Sequence, residues 1–364
     1  MSGAGTATPS PSLSGRELTR EIKALALAVG FDVAGVAPAR ATAETRFLRE
    51  WLARGYAGGM RYLTRRVEER VDPRRVLEGA RSLLVVGLAY DPGRRFTPPL
   101  DAGGRGRVAR YAGGDDYHEL MGDRLRAIES GIEALLEAPL RSRSYVDTGP
   151  VLERVFAAHA GLGWLGKNGL LIHPRLGSYL LLGVMLSDLE LAPDAPEPDR
   201  CGTCRACLDA CPTGAFTEPR VLDARRCIAY TTIEDLGPIP EELRRAHGDR
   251  LFGCDACQEA CPWNRRRGRE IPPDPLGLRE RLAPRSPWLY PTLEWILKLD
   301  EEAWRRATRR SSLRRAKYRG LLRNTLIAAG NSGDPSLRPL IERHANGDDP
   351  LLAEHAHWAL TRLE

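Results

Sequence analysis

The sequence predicts an α+β protein built in three parts. Helical and buried-strand patterns alternate up to about residue 190, all eight cysteines crowd between Cys201 and Cys261, and the residues beyond about 271 show helical spacing alone. Two proline-rich stretches, "LAPDAPEPDR" (191–200) and "REIPPDPLGLRERLAPRSP" (269–287), separate the parts. The expected division is a disordered tail over 1–15, an α/β domain over 16–192, a cysteine module over 193–270 and an all-helical domain over 271–364.

The first part reads as follows. Ser14 and Glu17 form a capping box before Leu18, Ile22, Leu25 and Val29, which share one helix face, and Gly30 ends that helix. "FDVAGVA" is a strand, residues 43–54 are helical, and "SLLVVGLAY" (82–90) is apolar throughout, as a strand buried on both faces must be. A long helix follows over 117–138. "SRSYVDTG" (142–149) is a strand running into a turn, "LERVFAAHAGLG" is helical, and "GLLIHP" with "GSYLLLGVML" reads as a hairpin. In the last part Asp334-Pro335 and Asp349-Pro350 each set a helix cap before a proline suited to the first helical position. Leu337, Leu340 and Ile341 are echoed by Leu352, Ala356 and Ala359, a pairing of short helices like that of HEAT-type repeats.

The hydrophobic fraction of 42% is that of a water-soluble globular chain. No apolar run reaches the roughly 18–20 residues that span a bilayer, and the first residues have neither a basic start nor an apolar core. A cytoplasmic protein with no membrane contact is expected, and nothing in the sequence demands more than a monomer. In a reducing compartment, eight clustered cysteines point to metal rather than to disulfides.

The cysteines have a countable pattern. "CGTCRACLDACP" supplies Cys201, Cys204, Cys207 and Cys211 in the C-x2-C-x2-C-x3-C-P spacing of bacterial ferredoxins. "LFGCDACQEACP" supplies Cys254, Cys257 and Cys261, with Leu251 where a further cysteine would open the run, and Cys227 stands alone between the two. In two-cluster ferredoxins the fourth cysteine of a run serves the other cluster. That rule assigns Cys201, Cys204, Cys207 and Cys261 to one [4Fe–4S] cluster, and Cys211, Cys227, Cys254 and Cys257 to a second. Zinc sites use paired C-x2-C units rather than triplets, so zinc is disfavoured.

Charge is concentrated too. Residues 302–325 carry eight arginines and one lysine against one glutamate in a chain of net charge +6. A basic stripe on a nearly neutral body is the footprint of a nucleic-acid contact; its bland alternative is a solvated helix face.

The first part lacks G-x-G-x-x-G and Walker signatures in the required context. Asp116-Tyr117-His118 approaches the D-x-H-x-x-G pattern that brings a histidine beneath cobalamin, but the glycine comes one position late, at Gly122. His118 is therefore read as a helix-start histidine near Asp116, not a cobalt ligand. Asp147, before Thr148-Gly149-Pro150 at a strand end, is the candidate acid; burial there could raise its pKa and let it donate a proton. A turn aspartate is the plain alternative. Lys167 and Asn168 lie in a glycine-rich turn that a flat ligand could approach.

Taken in order, "GGMRYL", "ARYAGGDDYH", "VDTGPVLER", "GWLGKN", the two cysteine runs with Cys227, and "LRNTLIAAGNSGD" resemble the epoxyqueuosine reductases, over essentially residues 16–364. The resemblance implies reduction of epoxyqueuosine to queuosine at the tRNA wobble position. It implies cobalamin bound base-off in the first domain, a ferredoxin-like module feeding it single electrons, and an external donor such as ferredoxin or flavodoxin. Asp147 would protonate the leaving oxygen. Arg70, Arg110, Asp147, Lys167, Asn168, Ser178, Tyr230, Thr231 and Glu234 would contact the cofactor, with Arg61 a further polar candidate. Some members carry a cysteine where this chain has Arg110, so a thiol role at that position is absent here. The anticodon stem-loop would be gripped by Arg265, Arg266, Arg267, Arg314, Arg315, Lys317, Arg319 and Arg323, with Arg269 extending the same surface. A corrinoid reductive dehalogenase and a ferredoxin-type electron carrier are the rival readings; the large first domain and the basic helical tail argue against them.

Overall fold

The computed structural model describes residues 14–91, 104–265 and 271–363. Residues 1–13 of the expected tail over 1–15 lie outside them, as do Arg266, Arg267 and Arg269, whereas Ser14 and Gly15 are the cap and first residue of a helix. Its central sheet has four strands: β1 (Val33–Pro38), β2 (Ser82–Ala89), β3 (Ser142–Tyr145) and β4 (Leu180–Ser187), in the order β1-β2-β4-β3. Every pairing is antiparallel, with Val36 opposite Leu84, Ser82 opposite Ser187 and Ser142 opposite Ser187.

Strand alternation sends successive side chains to opposite faces. Leu84, Val86 and Met185 pack against Leu18, Ile22 and Ala26 of the helix Gly15–Ala28 and against Met121, Leu125 and Ile128 of the helix Tyr117–Leu136. Leu83, Val85, Val184 and Leu186 face Phe156 and Ala157 of the helix Glu153–His159. Both sheet faces are covered, which explains why β2 is buried at every position. The Ser14–Glu17 capping box is present as the sequence predicts.

Two expectations are corrected here. The first part, expected as an α/β domain, is α+β, because its described sheet is wholly antiparallel. The predicted hairpin does not form either. Leu171–Ile172 pairs with Trp164–Leu165, only an isolated bridge joins His173 to Gly177, and β4 is drawn into the large sheet instead. Burial on two faces outweighs the local turn.

The last part is helical, with Lys317–Ser332, Arg338–Ala345 and Pro350–Thr361 as its main helices. Asp334 and Asp349 cap as predicted, each accepting from backbone N–H groups after the proline. This part does not pack alone. One core unites Leu293, Ile296, Leu326 and Ala356 with Leu251 and Phe252 of the cysteine region and with Ala112. The strand Arg250–Phe252 also pairs in parallel with Arg107–Val108 of the first part. Leu251 is fully buried, and a Cβ on Gly106 would lie 2.3 Å from it. Leu251 is therefore a tightly packed core residue, where an apolar replacement of different size or shape would overpack the core or leave a cavity. Among the described residues no helix is long and apolar enough to cross a membrane.

Candidate functional site

Asp147 follows β3 by two residues and takes a left-handed backbone conformation, φ 60°. For a residue other than glycine that conformation costs roughly 1–2 kcal/mol, so other contacts must hold it. The Thr148 N–H donates to the Val146 carbonyl at 2.7 Å, and the Asp147 N–H donates to Glu153 Oε1 at 2.7 Å. Gly149 is required by space: a Cβ there would lie 2.2 Å from the Tyr145 ring. Its carbonyl accepts from Arg70 Nη1 at 3.1 Å.

Three donors converge on one carboxylate oxygen. Asp147 Oδ2 accepts from Tyr117 Oη at 3.0 Å and from Arg315 Nη1 at 2.9 Å, and lies 3.6 Å from His118 Nε2. His118 holds Asp116 with its other nitrogen, Nδ1 to Oδ1 at 2.6 Å. Arg315 spans to Glu234, Nη2 to Oε1 at 2.9 Å. Tyr62, 45% exposed, is a large aromatic side chain at the mouth of this group, close enough to feel the charges of Glu234, Arg315 and Asp147.

The electrostatics correct the expected acid. Burial disfavours an ionised Asp147, but the His118 imidazole facing it at 3.6 Å and the Arg315 guanidinium prevail and hold its carboxyl well below the usual carboxylate range. Burial also works against a charged His118, yet its hydrogen bond to Asp116 and the nearby Asp147 carboxylate push its pKa up to about 9. Burial and the adjacent Asp147 charge push Glu153 up to about 8. At neutral pH Asp147 is thus a carboxylate, and the protons sit on His118 and Glu153. The sequence reasoning set His118 aside and missed Glu153, Tyr117 and Tyr62; the Asp116-Tyr117-His118 run and the glutamate of "VDTGPVLER" were the available signals.

A six-residue helix, Ile228–Ile233, joins Cys227 to Glu234. At 1.5 Å per residue it spans about 9 Å. Its surroundings come from the helical part: Arg323 donates to the carbonyls of Thr231, Asp235 and Gly237, and Asn324 donates to those of Thr232 and Leu251.

The cysteines gather in two sets. Cys201, Cys204, Cys207 and Cys261 line one cavity of about 480 Å³ together with Lys167, Asn168 and Trp263. Charge on Cys207 is felt at Cys261, Cys201 and Cys204, whereas Cys227 couples to Cys254 and Cys211. Cys257 adjoins Cys254 and Cys227, and it feels Cys207 across the gap between the sets. No group of three His, Cys, Asp or Glu side chains among the described residues is drawn in to a single-ion radius. The buried Asn168 Nδ2 has no partner among the described residues and lines the four-cysteine cavity. A donor beside four thiolates fits a cluster whose inorganic sulfides accept hydrogen bonds.

The expected cofactor contacts do not form one cradle. Lys167 Nζ donates to the Gly202 and Cys204 carbonyls, so it clasps the first cysteine loop. Arg110 is enclosed by Asp91, Asp255 and Glu259 and lies over the Tyr179 ring at 4.7 Å. The Ser178 hydroxyl accepts from Gln258 and Asn264. Tyr230 Oη accepts from the Gly59 N–H at 2.6 Å, and the Thr231 hydroxyl meets His247 at 3.1 Å. Arg70 is buried behind the Asp147 turn, with Nη2 on the Tyr62 carbonyl at 3.2 Å. Asp147 and Glu234 are brought together by Arg315, which pairs with both. His118 bonds Asp116 through Nδ1 and faces Asp147 Oδ2 through Nε2 at 3.6 Å.

Among the basic residues, Arg265, Arg314 and Lys317 are exposed, and Arg319 is exposed but pairs with Asp349 at 2.5 Å. Arg315 turns inward to Asp147 and Glu234. Arg323 is fully buried, which corrects its assignment as a phosphate contact.

Residues 200–264 match the family model described as 4Fe-4S double cluster binding domain, and residues 70–148 match the model described as Epoxyqueuosine reductase QueG, DUF1730. The chain is 38% identical to the epoxyqueuosine reductase of Xanthomonas campestris pv. campestris over 98% of both chains. It is 42% identical to that of Gloeobacter violaceus over 86% of this chain and 96% of the relative. A crystal structure of an epoxyqueuosine reductase with an epoxyqueuosine-modified tRNA-Tyr stem loop superposes with a TM-score of 0.87 at 30% identity, covering 96% of this chain and 91% of that one. A structure of the Bacillus subtilis enzyme, described as having an aspartate catalytic loop swung out of the active site, gives 0.86 at 30% identity, covering 96% and 91%.

Proposed function

This chain belongs to the epoxyqueuosine reductase family, and we propose that it reduces epoxyqueuosine in tRNA at the turn bearing Asp147. Each turnover takes two electrons and two protons, converts the epoxide to an alkene and releases water. An alkoxide leaves poorly, so the epoxide oxygen needs a proton donor within hydrogen-bond reach.

The observation that carries this reading is the convergence of Tyr117, His118 and Arg315 on Asp147 Oδ2 at the end of a short helix from Cys227. Asp147 relays the proton and His118 holds it, since the imidazole is the protonated partner at neutral pH. Asp116 fixes the His118 ring and orients its Nε2 toward Asp147. Tyr62 offers a ring on which a base released from the anticodon loop can stack. Arg314, Lys317 and Arg265 supply exposed charge for the stem phosphates.

The two cysteine sets would each hold a [4Fe–4S] cluster, which when bound supplies single electrons, and about 9 Å of helix joins Cys227 of the second set to Glu234. Glu234 and Asp147, bridged by Arg315, are the residues that would hold cobalamin, which when bound supplies a low-potential two-electron nucleophile. A dehalogenase or a bare electron carrier is not favoured by a chain matched to these reductases over nearly its whole length.

The test is single turnover by the anaerobically reconstituted protein on a stem-loop carrying epoxyqueuosine. Asp147→Asn should lose about 10²–10⁴-fold in rate, the range for removing a group that takes part in the proton transfer. Full retention of rate would overturn the assignment.

A further inference from the structure

We infer that Glu153 is a positioning residue for this reaction, one jaw of a clasp that fixes the Asp147 turn and whose other jaw is Arg70. The inference rests on the reading of Asp147 as the proton-relaying residue.

Glu153 is the first residue of the helix Glu153–His159. An acidic residue there ordinarily serves its own helix N–H groups. Here Oε1 reaches back six residues to the Asp147 N–H at 2.7 Å. That N–H belongs to the residue held at φ 60°, the conformation that costs most to keep. The second jaw is independent. Arg70 comes from the short helix Val67–Val71, is 9% exposed, and donates to both the Gly149 and Tyr62 carbonyls. One buried guanidinium therefore ties the turn to the aromatic residue at the site mouth. With both jaws closed, the backbone on either side of Asp147 is fixed, and its carboxylate can meet Tyr117, His118 and Arg315 at once.

Neither jaw touches the carboxylate itself, so the effect runs through geometry. The carboxyl of Glu153 offers an oxygen to the N–H whether ionised or neutral, and a glutamine offers the same oxygen. An alanine offers none, and an aspartate is one methylene too short.

The test uses the full chain reconstituted with iron, sulfide and cobalamin, and compares Glu153→Ala, Glu153→Gln and Glu153→Asp. Turnover is measured on the epoxyqueuosine stem-loop, and amide exchange is followed over residues 145–152. Glu153→Ala and Glu153→Asp should lose about 10–100-fold in kcat, as expected for a displaced catalytic group, with KM and melting temperature near the parent's. Exchange across the turn should speed up at least about tenfold in both. Glu153→Gln should keep slow exchange and most of its kcat. Parent-like exchange in Glu153→Asp overturns the clasp even if the alanine variant does not fold. So does a glutamine variant as impaired as alanine while its turn stays protected. Exchange needs no turnover. If Asp147→Asn remains fully active while exchange follows Glu153 as expected, the catalytic reading fails and the clasp stands.

Discussion

Replacing Arg315 with glutamine separates two roles that its charge could serve. In the structure its guanidinium lies 2.9 Å from both Asp147 Oδ2 and Glu234 Oε1. Charge centres about 4 Å apart interact by about 4 kcal/mol at an effective dielectric constant of about 20, and by about 1 kcal/mol in water. The Arg315 and Asp147 side chains are 37% and 47% exposed, so solvent screening sets the value near the lower end. A loss of about 1–2 kcal/mol corresponds to a rise of about one pKa unit at Asp147. In kcat/KM measured against pH, the acid limb should move up by about one unit. The dependence of tRNA binding on salt should stay as in the parent. An unmoved acid limb with a salt slope reduced by about one would show a phosphate contact instead, and would refute the tether.

The other perturbations give sharper yes-or-no outcomes. His118→Gln should abolish the alkaline limb near pH 9 and lower kcat by about 10²-fold or more. Because the folded His118 pKa is raised, its stabilising contribution is full below its unfolded value near 6.5 and is lost as pH rises through about 9; denaturant midpoints against pH should show this, and an unchanged midpoint in the variant would argue against the Asp116–His118–Asp147 chain. Cys227→Ala should cut iron from about eight to about four atoms per chain, leaving the spectrum of one cluster; loss of all iron or of none would break the partition. Arg314→Ala with Lys317→Ala should flatten the salt dependence of stem-loop binding by about two units of slope. Arg323→Ala should instead destabilise the fold by about 1–3 kcal/mol per orphaned carbonyl, as read from denaturant midpoints.

Local signals account for what the sequence makes legible. The capping box at Ser14, the long helix from Tyr117 and the Asp-Pro caps at Asp334 and Asp349 all form, because each is written within a few neighbouring residues. Cysteine spacing carries its chemistry in the same way. Non-local pairing is not written locally. The strand over 180–187 pairs with β2 from about a hundred residues upstream and with β3 from about forty, so periodicity identified a strand but gave it the wrong partner. The active-site charges illustrate the same limit. Arg315 and Arg323 look alike within one basic stripe, yet one turns onto Asp147 and the other is sealed under carbonyls, a difference decided by packing. A raised pKa for Asp147 was a fair expectation from burial alone. It failed because a histidine from one helix and an arginine from 168 residues downstream meet the same oxygen.

On this reading the chain reduces epoxyqueuosine in tRNA with Asp147 as the proton relay. Nucleoside composition after anaerobic single turnover tests it most directly, using reconstituted parent and Asp147→Asn proteins with an epoxyqueuosine-bearing anticodon stem-loop and a chemical one-electron donor. The account predicts queuosine from the parent and unreduced epoxyqueuosine from the variant. Unreduced epoxide from a parent protein with full iron and cobalamin content, or queuosine formed equally fast by the variant, would contradict it.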